Sequence, residues 1–258
     1  MSLTQLSRSI EGLVAVITGA GSGMGAATAK LFADQGAKVA ALDLNEAGVA
    51  GVVQEITAVG KSAKAWQIDL ADGDAIIRVM SEIAEHYDGI DLLVNNAGIS
   101  IPAPIDRDGY DEAWDRSLSV LLTAQQRVIR AALPHLRQSN NPRIVNIAST
   151  EGLGATKGGS PYTAAKHGVI GLTRSLAVEL GGEDITVNCI CPGPINTGMT
   201  QAIPDEQKVV YARRRVALKR YAEPEEVAHG TLNFCLPSSS FMTGAALPVD
   251  GGLTIKNA

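Results

Sequence analysis

The stretch Val16–Phe32, VITGAGSGMGAATAKLF, decides the fold. Its glycines follow the pattern Thr-Gly-x-x-x-Gly-x-Gly, with Gly19, Gly23 and Gly25 between an apolar run and an alanine-rich helical pattern. Glycines at a strand-to-helix turn let the backbone bend sharply and approach a pyrophosphate, which the helix N-terminus then binds through its free N–H groups and its dipole. The stretch therefore predicts a strand–turn–helix unit that binds a dinucleotide, although its spacing is not G-x-G-x-x-G.

The second apolar run ends at Asp43, 18 residues after Gly25. A carboxylate at this place binds the adenosine ribose hydroxyls. Neither Leu44 nor Asn45 is basic, and Ser22 in the glycine turn offers no cation, so a 2′-phosphate would face the carboxylate unaided. We therefore predict NAD rather than NADP. The alternative, an aspartate that only caps the next helix, stays open.

Short aliphatic runs alternate with helical patterns along the whole chain, which predicts βαβ units and a doubly wound parallel sheet of about seven strands with helices on both faces. Several runs are apolar on consecutive residues, as in strands buried on both sides. The predicted strands are Leu13–Thr18, Lys38–Asp43, Ala63–Asp69, DLLVNNAG, RIVNIAS, ITVNCICPG and ALPVDGG, and the predicted helices are Met24–Gln35, Asp74–Tyr87, Asp111–Arg137 and Pro161–Leu180.

The composition narrows the class of protein. Of 258 residues, 45% are hydrophobic and 19% charged, and the net charge of −5 argues against a nucleic-acid or anionic-membrane surface. The N-terminal MSLTQLSRSIEG lacks the apolar core of a secretory signal, and no apolar run is long enough to span a bilayer. Three cysteines, Cys189, Cys191 and Cys235, are too few for a disulfide framework, so we expect a cytoplasmic protein without a metal site.

Five motifs occur in a fixed order: TGAGSGMG at 18–25, NNAG at 95–98, Ser149 after a strand, Tyr162-x-x-x-Lys166, and PGPINT at 192–197. Together they resemble the short-chain dehydrogenase/reductase family along almost the whole chain. The resemblance implies a single Rossmann-like domain, 1–258, that contains both the cofactor site and the catalytic site.

Tyr162 and Lys166 are the catalytic pair that this resemblance implies, with Ser149 as the third member. Positions i and i+4 share a helix face, so the lysine ammonium lies below the tyrosine phenol. A free tyrosine has a pKa near 10, and a nearby cation favours the phenolate. Tyr162 can then take the proton of a substrate hydroxyl while hydride leaves, and Ser149 can polarise the same oxygen.

The resemblance also implies a cofactor site. It assigns Asp69 to the adenine, NNAG to the adenine ribose, Lys166 to the nicotinamide ribose, and the 192–197 segment to the carboxamide. The predicted cofactor residues are Gly19, Ser22, Gly23, Met24, Gly25, Asp43, Leu44, Asp69, Leu70, Asn95, Ala97, Gly98, Tyr162, Lys166, Pro192, Gly193, Ile195 and Thr197.

One position departs from the family pattern. Many members have an asparagine seven residues after a helix tryptophan, where it helps to hold a relay water for the lysine. Here Leu121 follows Trp114 at that spacing, and leucine has no hydrogen-bonding side chain. A modest rate penalty, another route for the water, and loss of catalysis remain as explanations.

Loops at the carboxyl ends of the strands are expected to bind the substrate. Ser149, Glu151, Leu153 and Met199 are the predicted contacts, and Glu151 is either a ligand for a second hydroxyl or a solvated charge. The segment 194–221 is expected to form a helical lid. Its basic run, ARRRVALKR, is either a solvated face or a site for an acidic substrate tail.

The sequence thus predicts an NAD-dependent oxidoreductase that interconverts a secondary alcohol and a ketone, with a small molecule as its substrate. Alternatives are a 3-oxoacyl-thioester reductase, a polyol or sugar dehydrogenase, and an NAD(H)-binding scaffold or redox sensor without turnover. By resemblance we also expect a homotetramer built through the helices at about 111–137 and 161–180.

Overall fold

The computed structural model describes residues 5–257, so residues 1–4 and 258 of the predicted domain lie outside the described residues. One seven-stranded sheet, parallel throughout, forms the centre of the molecule. The strands lie in the order β3-β2-β1-β4-β5-β6-β7. Their bounds are β1 Val14–Thr18, β2 Lys38–Asp43, β3 Ala63–Gln67, β4 Leu92–Asn95, β5 Arg143–Ile147, β6 Thr186–Pro192 and β7 Ala246–Val249.

Helices cover both faces of this sheet. Their bounds are α1 Gly23–Asp34, α2 Glu46–Ala58, α3 Gly73–Tyr87, α4 Tyr110–Leu118, α5 Ala124–Leu136, α6 Ser160–Leu180, α7 Asp205–Arg215 and α8 Pro224–Cys235. One large core cluster contains Phe32 of α1 and Phe234 of α8, and a second contains Met80 of α3 and Val128 of α5. The doubly wound α/β fold predicted from the strand–helix alternation is confirmed.

The long helix predicted over 111–137 is wrong in one respect. A π-helical segment, Ser119–Thr123, separates α4 from α5. Single-turn π segments insert one extra residue into a helix and frequently occur at functional sites. This segment contains Leu121, the residue that departs from the family pattern.

The strand order fixes where the site lies. Strands β1 and β4 are neighbours, and the chain leaves β1 toward β2 on one side and β4 toward β5 on the other. In open α/β sheets a crevice forms at this reversal, beyond the carboxyl ends of the strands. All five motifs follow or adjoin these strand ends.

Candidate active site

The glycine turn between β1 and α1 is packed too tightly for side chains. Gly19 has φ +67°, and a Cβ there would lie 2.7 Å from the Cα of Ala97. A Cβ on Gly25 would overlap the carbonyl oxygen of Gly19. Gly25 does not line the cleft, so it contributes by letting α1 pack against the turn.

The N-terminus of α1 is available to an anion. Its cap residue, Ser22, makes no side-chain capping bond, and the first turn carries no acidic residue. Free N–H groups at a helix N-terminus, together with the helix dipole, form an anion site. Ser22, Gly23 and Met24 line the cleft here, so the geometry suits a pyrophosphate.

Asp43 at the end of β2 is held rigidly. Its Oδ2 accepts a hydrogen bond from the backbone N–H of Gly21 at 2.8 Å, and its Oδ1 accepts one from Asn45 at 2.9 Å. An ionised carboxylate has about four acceptor positions, so two remain for ribose hydroxyls. Among residues 5–257, the cations that line the cleft are Arg116 and Lys166, and neither belongs to the β2 or β3 loops.

The NNAG motif ties β4 to β1 through Asn96, whereas Asn95 is the residue that we predicted to lie beside the cofactor. Asn95 is buried, donates from Nδ2 to Asn146 Oδ1 and does not line the cleft. Asn96 lines it instead and donates to the carbonyl oxygens of Thr18 and Gly19. The placement of Asn95 does not support the predicted cofactor contact, because strand alternation points its side chain into the helical layer.

Three side chains meet at the other end of the cleft. Ser149, two residues after β5, accepts the backbone N–H of Glu151 on its Oγ at 3.1 Å, and its own hydroxyl hydrogen is available to the Tyr162 oxygen or to a substrate. Tyr162 and Lys166 lie on one face of α6, and the lysine Nζ is 5.5 Å from the centre of the phenol ring. Lys166 Nζ also donates to the carbonyl oxygen of Ile147 at 2.7 Å. All three line the same cleft.

Burial controls the ionisation of this group. Desolvation raises the pKa of Tyr162, the hydroxyl of Ser149 lowers it, and the charge of Glu151 raises it further. Burial also lowers the pKa of Lys166 to about 8. A raised pKa favours the phenol of Tyr162 over the phenolate, so added positive charge is needed to form the base.

The cleft has a volume of about 910 Å³ and connects these two ends. Most of the predicted residues line it: Gly19, Ser22, Gly23, Met24, Asp43, Leu44, Asp69, Leu70, Ala97, Gly98, Ser149, Tyr162, Lys166, Pro192, Gly193, Ile195, Thr197 and Met199. Gly25, Asn95, Glu151 and Leu153 do not. Arg116 and Val120 line it without having been predicted, although their spacing of four on one helix face could have indicated a shared surface.

Glu151 lies beside the cleft on the side of the predicted substrate loops. Its carboxylate accepts hydrogen bonds from Thr156 Oγ1 at 2.7 Å and Thr163 Oγ1 at 3.0 Å. Its charge raises the pKa of both Tyr162 and Tyr211 of α7, so it lies within electrostatic range of both phenols. Leu153 is 42% exposed.

Backbone hydrogen bonds join the two ends of the segment 194–221. Ala222 N–H donates to Pro194 at 3.0 Å, and Asn196 N–H donates to Ala222 at 2.9 Å. Between these bonds lie a short 3-10 turn, Gly198–Thr200, and α7. The segment is partly helical and stays the predicted lid, and five of its residues line the cleft: Ile195, Thr197, Gly198, Met199 and Thr200. The basic residues at the end of α7 carry no salt bridge within residues 5–257.

Three further observations concern the described part of the chain as a whole. Within the described part of the chain, no cluster of three or more His, Cys, Asp or Glu side chains is arranged to hold a metal ion. In the same part, no helix has the length and apolar character needed to cross a membrane. All three cysteines are buried and free.

Known proteins resemble the chain over nearly its full length. The family model described as "Enoyl-(Acyl carrier protein) reductase" matches residues 19–254. A 3-oxoacyl-[acyl-carrier-protein] reductase of Thermotoga maritima is 38% identical, over 95% of this chain and 99% of that protein. A meso-2,3-butanediol dehydrogenase of Serratia marcescens is 39% identical, over 95% of both chains.

Solved structures agree with these relatives. A dehydrogenase/reductase from Sinorhizobium meliloti superposes with a TM-score of 0.88 at 37% identity, and it covers 96% of this chain and 97% of that one. A short-chain type dehydrogenase/reductase from Mycobacterium marinum gives a TM-score of 0.90 at 29% identity, over 96% and 98% of the two chains. With the ordered motifs and the geometry of the cleft, these matches establish that the chain belongs to the short-chain dehydrogenase/reductase family of oxidoreductases.

Proposed function

We propose that the protein is an NAD-dependent dehydrogenase that interconverts a secondary alcohol and a ketone, with Tyr162 as the general acid/base. The observation that carries this proposal is the single cleft, which joins Asp43 and the free N-terminus of α1 to Ser149, Tyr162 and Lys166. A dinucleotide bound along it would have its phosphates at the helix and its reactive ring beside the tyrosine.

The residues present fit such a cofactor. The anion site at α1 has no competing carboxylate, and Asp43 keeps acceptor positions for ribose hydroxyls. Lys166 is near enough to the phenol to donate to a ribose beside it, and the same cleft is lined by Pro192, Gly193, Ile195 and Thr197. When bound, the nicotinamide accepts or supplies the hydride.

The chain's own residues then handle the proton. Ser149 donates its free hydroxyl hydrogen to the substrate oxygen and fixes its position. Tyr162, as phenolate, accepts the proton of the alcohol, and as phenol it returns that proton to a ketone. Lys166 stabilises the phenolate by its charge.

NAD is preferred over NADP in this proposal because the Asp43 carboxylate would repel a 2′-phosphate. A second candidate is a 3-oxoacyl-thioester reductase, which the Thermotoga relative and the unpaired basic end of α7 favour. The butanediol relative supports an alcohol with a second hydroxyl, as in the polyol alternative. A scaffold without turnover is the least supported, because all three catalytic side chains line the cleft.

The test is NADH formation from NAD with a panel of secondary alcohols, namely aliphatic, alicyclic, aromatic, steroidal and polyol, with NADP in parallel. We expect turnover with NAD and little with NADP. Preferential reduction of a 3-oxoacyl thioester with NADPH would instead support the second candidate. Tight NADH binding without turnover of any substrate would support the scaffold.

We further propose a homotetramer and a cytoplasmic location. Exposed apolar side chains on α6 and around β7 are suited to subunit contacts: Val178 is 85% exposed and Phe241 is fully exposed. The free, buried thiols suit a reducing compartment. Light scattering of the purified protein measures the assembly directly, and a monomer would contradict it.

A further inference from the structure

The chain after β7 folds into a turn, residues 250–256, whose shape is fixed by one buried carboxylate. Asp250, the first residue of this 250–256 turn, is 8% exposed. Its Oδ1 accepts the backbone N–H of Gly252 at 2.8 Å. Its Oδ2 accepts the N–H of Thr254 at 2.8 Å and the hydroxyl of the same residue at 2.7 Å. Hydrogen bonds to an ionised carboxylate are stronger than neutral ones, so Asp250 holds the turn in one conformation.

The 250–256 turn touches the wall of the cleft at Gly193. A Cβ on Gly193 would lie 2.8 Å from both the Cα and the Cβ of Asp250. The N–H of Gly193 donates to the carbonyl oxygen of Val249 at 3.0 Å. Gly193 itself lines the cleft. The turn therefore packs directly against the residue with which β6 passes into the cleft wall.

The same turn contacts the far end of α7. The carbonyl oxygen of Gly251 accepts the N–H of Leu218 at 3.0 Å. A Cβ on Gly251 would lie 2.8 Å from Val216 Cγ1, and one on Gly252 would lie 2.8 Å from the Cβ of Ala217. The turn thus packs along the three residues that follow α7.

Lys256 completes this attachment. Its Nζ donates to the carbonyl oxygens of Arg213 at 3.3 Å and Arg214 at 2.8 Å. The last four carbonyl groups of a helix have no partner inside the helix, and a cation near them also interacts favourably with the helix dipole. The side chains of Arg213 and Arg214 carry the same charge as Lys256, so the attachment depends on the carbonyl oxygens. The Lys256 ammonium therefore caps α7 from outside the predicted lid.

The rest of the predicted lid has no comparable attachment. In the described part of the chain, every hydrogen bond of residues 201–212 stays within the segment 194–221. Val210 of α7 is 66% exposed, whereas Val216, directly after α7, is 1% exposed. The orientation of α7 therefore depends on the end that the 250–256 turn holds.

We propose that the 250–256 turn anchors α7 beside the catalytic end of the cleft, and that Lys256 is a positioning residue for substrate binding. Desolvation raises the pKa of Tyr211 on α7 and of Tyr162, and the charge of Glu151 adds to both shifts, so α7 passes near the catalytic end. This inference rests on the proposed function, because the substrate is expected between the predicted lid and the catalytic residues.

The test is Lys256→Met, which keeps the aliphatic part of the side chain and removes the ammonium. For alcohol oxidation with NAD, we expect KM for the alcohol to rise about three- to tenfold while kcat and KM for NAD change less than about twofold. A loss of binding that is equal in the ground state and the transition state has this signature. Lys256→Arg, which keeps a cation at the end of α7, should recover most of the affinity.

A second measurement needs no substrate. Hydrogen exchange of the α7 amides, followed by mass spectrometry on the protein alone, should become about tenfold faster in Lys256→Met. Exchange in peptides from β1 and β4 should not change. This measurement tests the anchor even if no alcohol is oxidised, so failure of the anchor and failure of the proposed function are distinguishable.

The matched control is Lys61→Met. Lys61 Nζ also donates to a carbonyl oxygen at the end of a helix, that of Asp34, the last residue of α1, at 3.0 Å. Helix α1 starts at the carboxyl end of β1 and runs back along the sheet, so this bond lies at the opposite end of the sheet from the cleft. Lys61→Met should leave KM for the alcohol and the exchange of α7 unchanged.

Unchanged exchange of α7 in Lys256→Met would overturn the anchor, and faster exchange with an unchanged KM for the alcohol would overturn the positioning role. An equal rise of KM in Lys61→Met would also overturn that role, because the loss would then reflect general destabilisation. If Lys256→Met does not fold, Thr254→Val decides in its place, since it removes one hydrogen bond to Asp250 and should show the same changes at a smaller size.

Discussion

The two ends of the cleft are built by different means. At the adenosine end, fixed polar atoms bond to main-chain groups within or between motifs: Asp43 to Gly21 and Asn45, and Thr18 Oγ1 to the N–H groups of Asn96 and Ala97. At the catalytic end, buried side chains from separate elements meet, and α7, the helix of the proposed lid, is largely exposed. In the proposed function, the first end binds the dinucleotide, which is always the same ligand, and the second end binds the substrate.

The difference concerns how much of each end depends on long-range packing. The hydrogen bonds of Asp43 need only the end of β2 and the neighbouring turn after β1. The placement of Lys166 depends on how α6 packs against β5. We therefore expect substitutions at the catalytic end to change turnover without changing cofactor binding, and substitutions at the adenosine end to change cofactor choice without changing the chemistry.

Tyr162→Phe should separate the two ends most strongly. It removes the phenolic hydroxyl and keeps the ring, so turnover should fall by about 10²- to 10⁴-fold, the usual contribution of a general acid/base. NADH binding, measured by fluorescence titration, should change less than about fivefold, because a neutral hydrogen bond contributes about 1 kcal/mol. Turnover that survives this substitution would exclude Tyr162 as the base.

Cofactor choice should respond to the double variant Asp43→Ser, Leu44→Arg. It removes the carboxylate that faces a 2′-phosphate and supplies a cation beside it. Hydrogen bonds to charged groups contribute about 1.5–3 kcal/mol, so the ratio of kcat/KM for NADP over NAD should rise about 10- to 100-fold. Leu44→Arg alone is the control that separates gained attraction from lost repulsion. An unchanged ratio would show that the ribose is bound elsewhere.

Much of the fold could be predicted from the sequence because local signals were consistent. The bounds of β2, Lys38–Asp43, agree with the prediction, and β1 begins one residue later than expected. The π segment could not be predicted, since one extra residue in a helical turn barely alters an apolar pattern that is continuous on both sides. Helices α2 and α8 were not assigned from the pattern either.

Most predicted site residues that follow strand ends line the cleft, whereas the prediction for Asn95 did not take the direction of the side chain into account. Asn95 was predicted from the family motif, which contains both Asn95 and Asn96. Because side chains alternate along a strand, Asn95 faces the same helices as Leu93 and therefore points away from the cleft. The contacts of Lys256 had no sequence signal, because a single lysine is normally a solvated surface residue. Only the packing of the 250–256 turn against α7 reveals them.

Glu151→Gln tests how far the substrate side influences the base, and we expect the smallest effect. The charge of Glu151 raises the pKa of Tyr162, so its removal should lower that pKa. The phenolate then forms at lower pH, and the acidic limb of alcohol oxidation should move to lower pH, with a rate at pH 7 raised by about twofold or less. The amide oxygen can keep one of the bonds from Thr156 and Thr163, and the amide nitrogen can donate to the other hydroxyl, which limits structural change. Glu183→Gln, at the surface pair with Arg137, is the control and should leave the profile in place. A selective loss of activity toward alcohols that carry a second hydroxyl would instead identify Glu151 as a substrate ligand. The catalytic end of the cleft would then extend to this carboxylate.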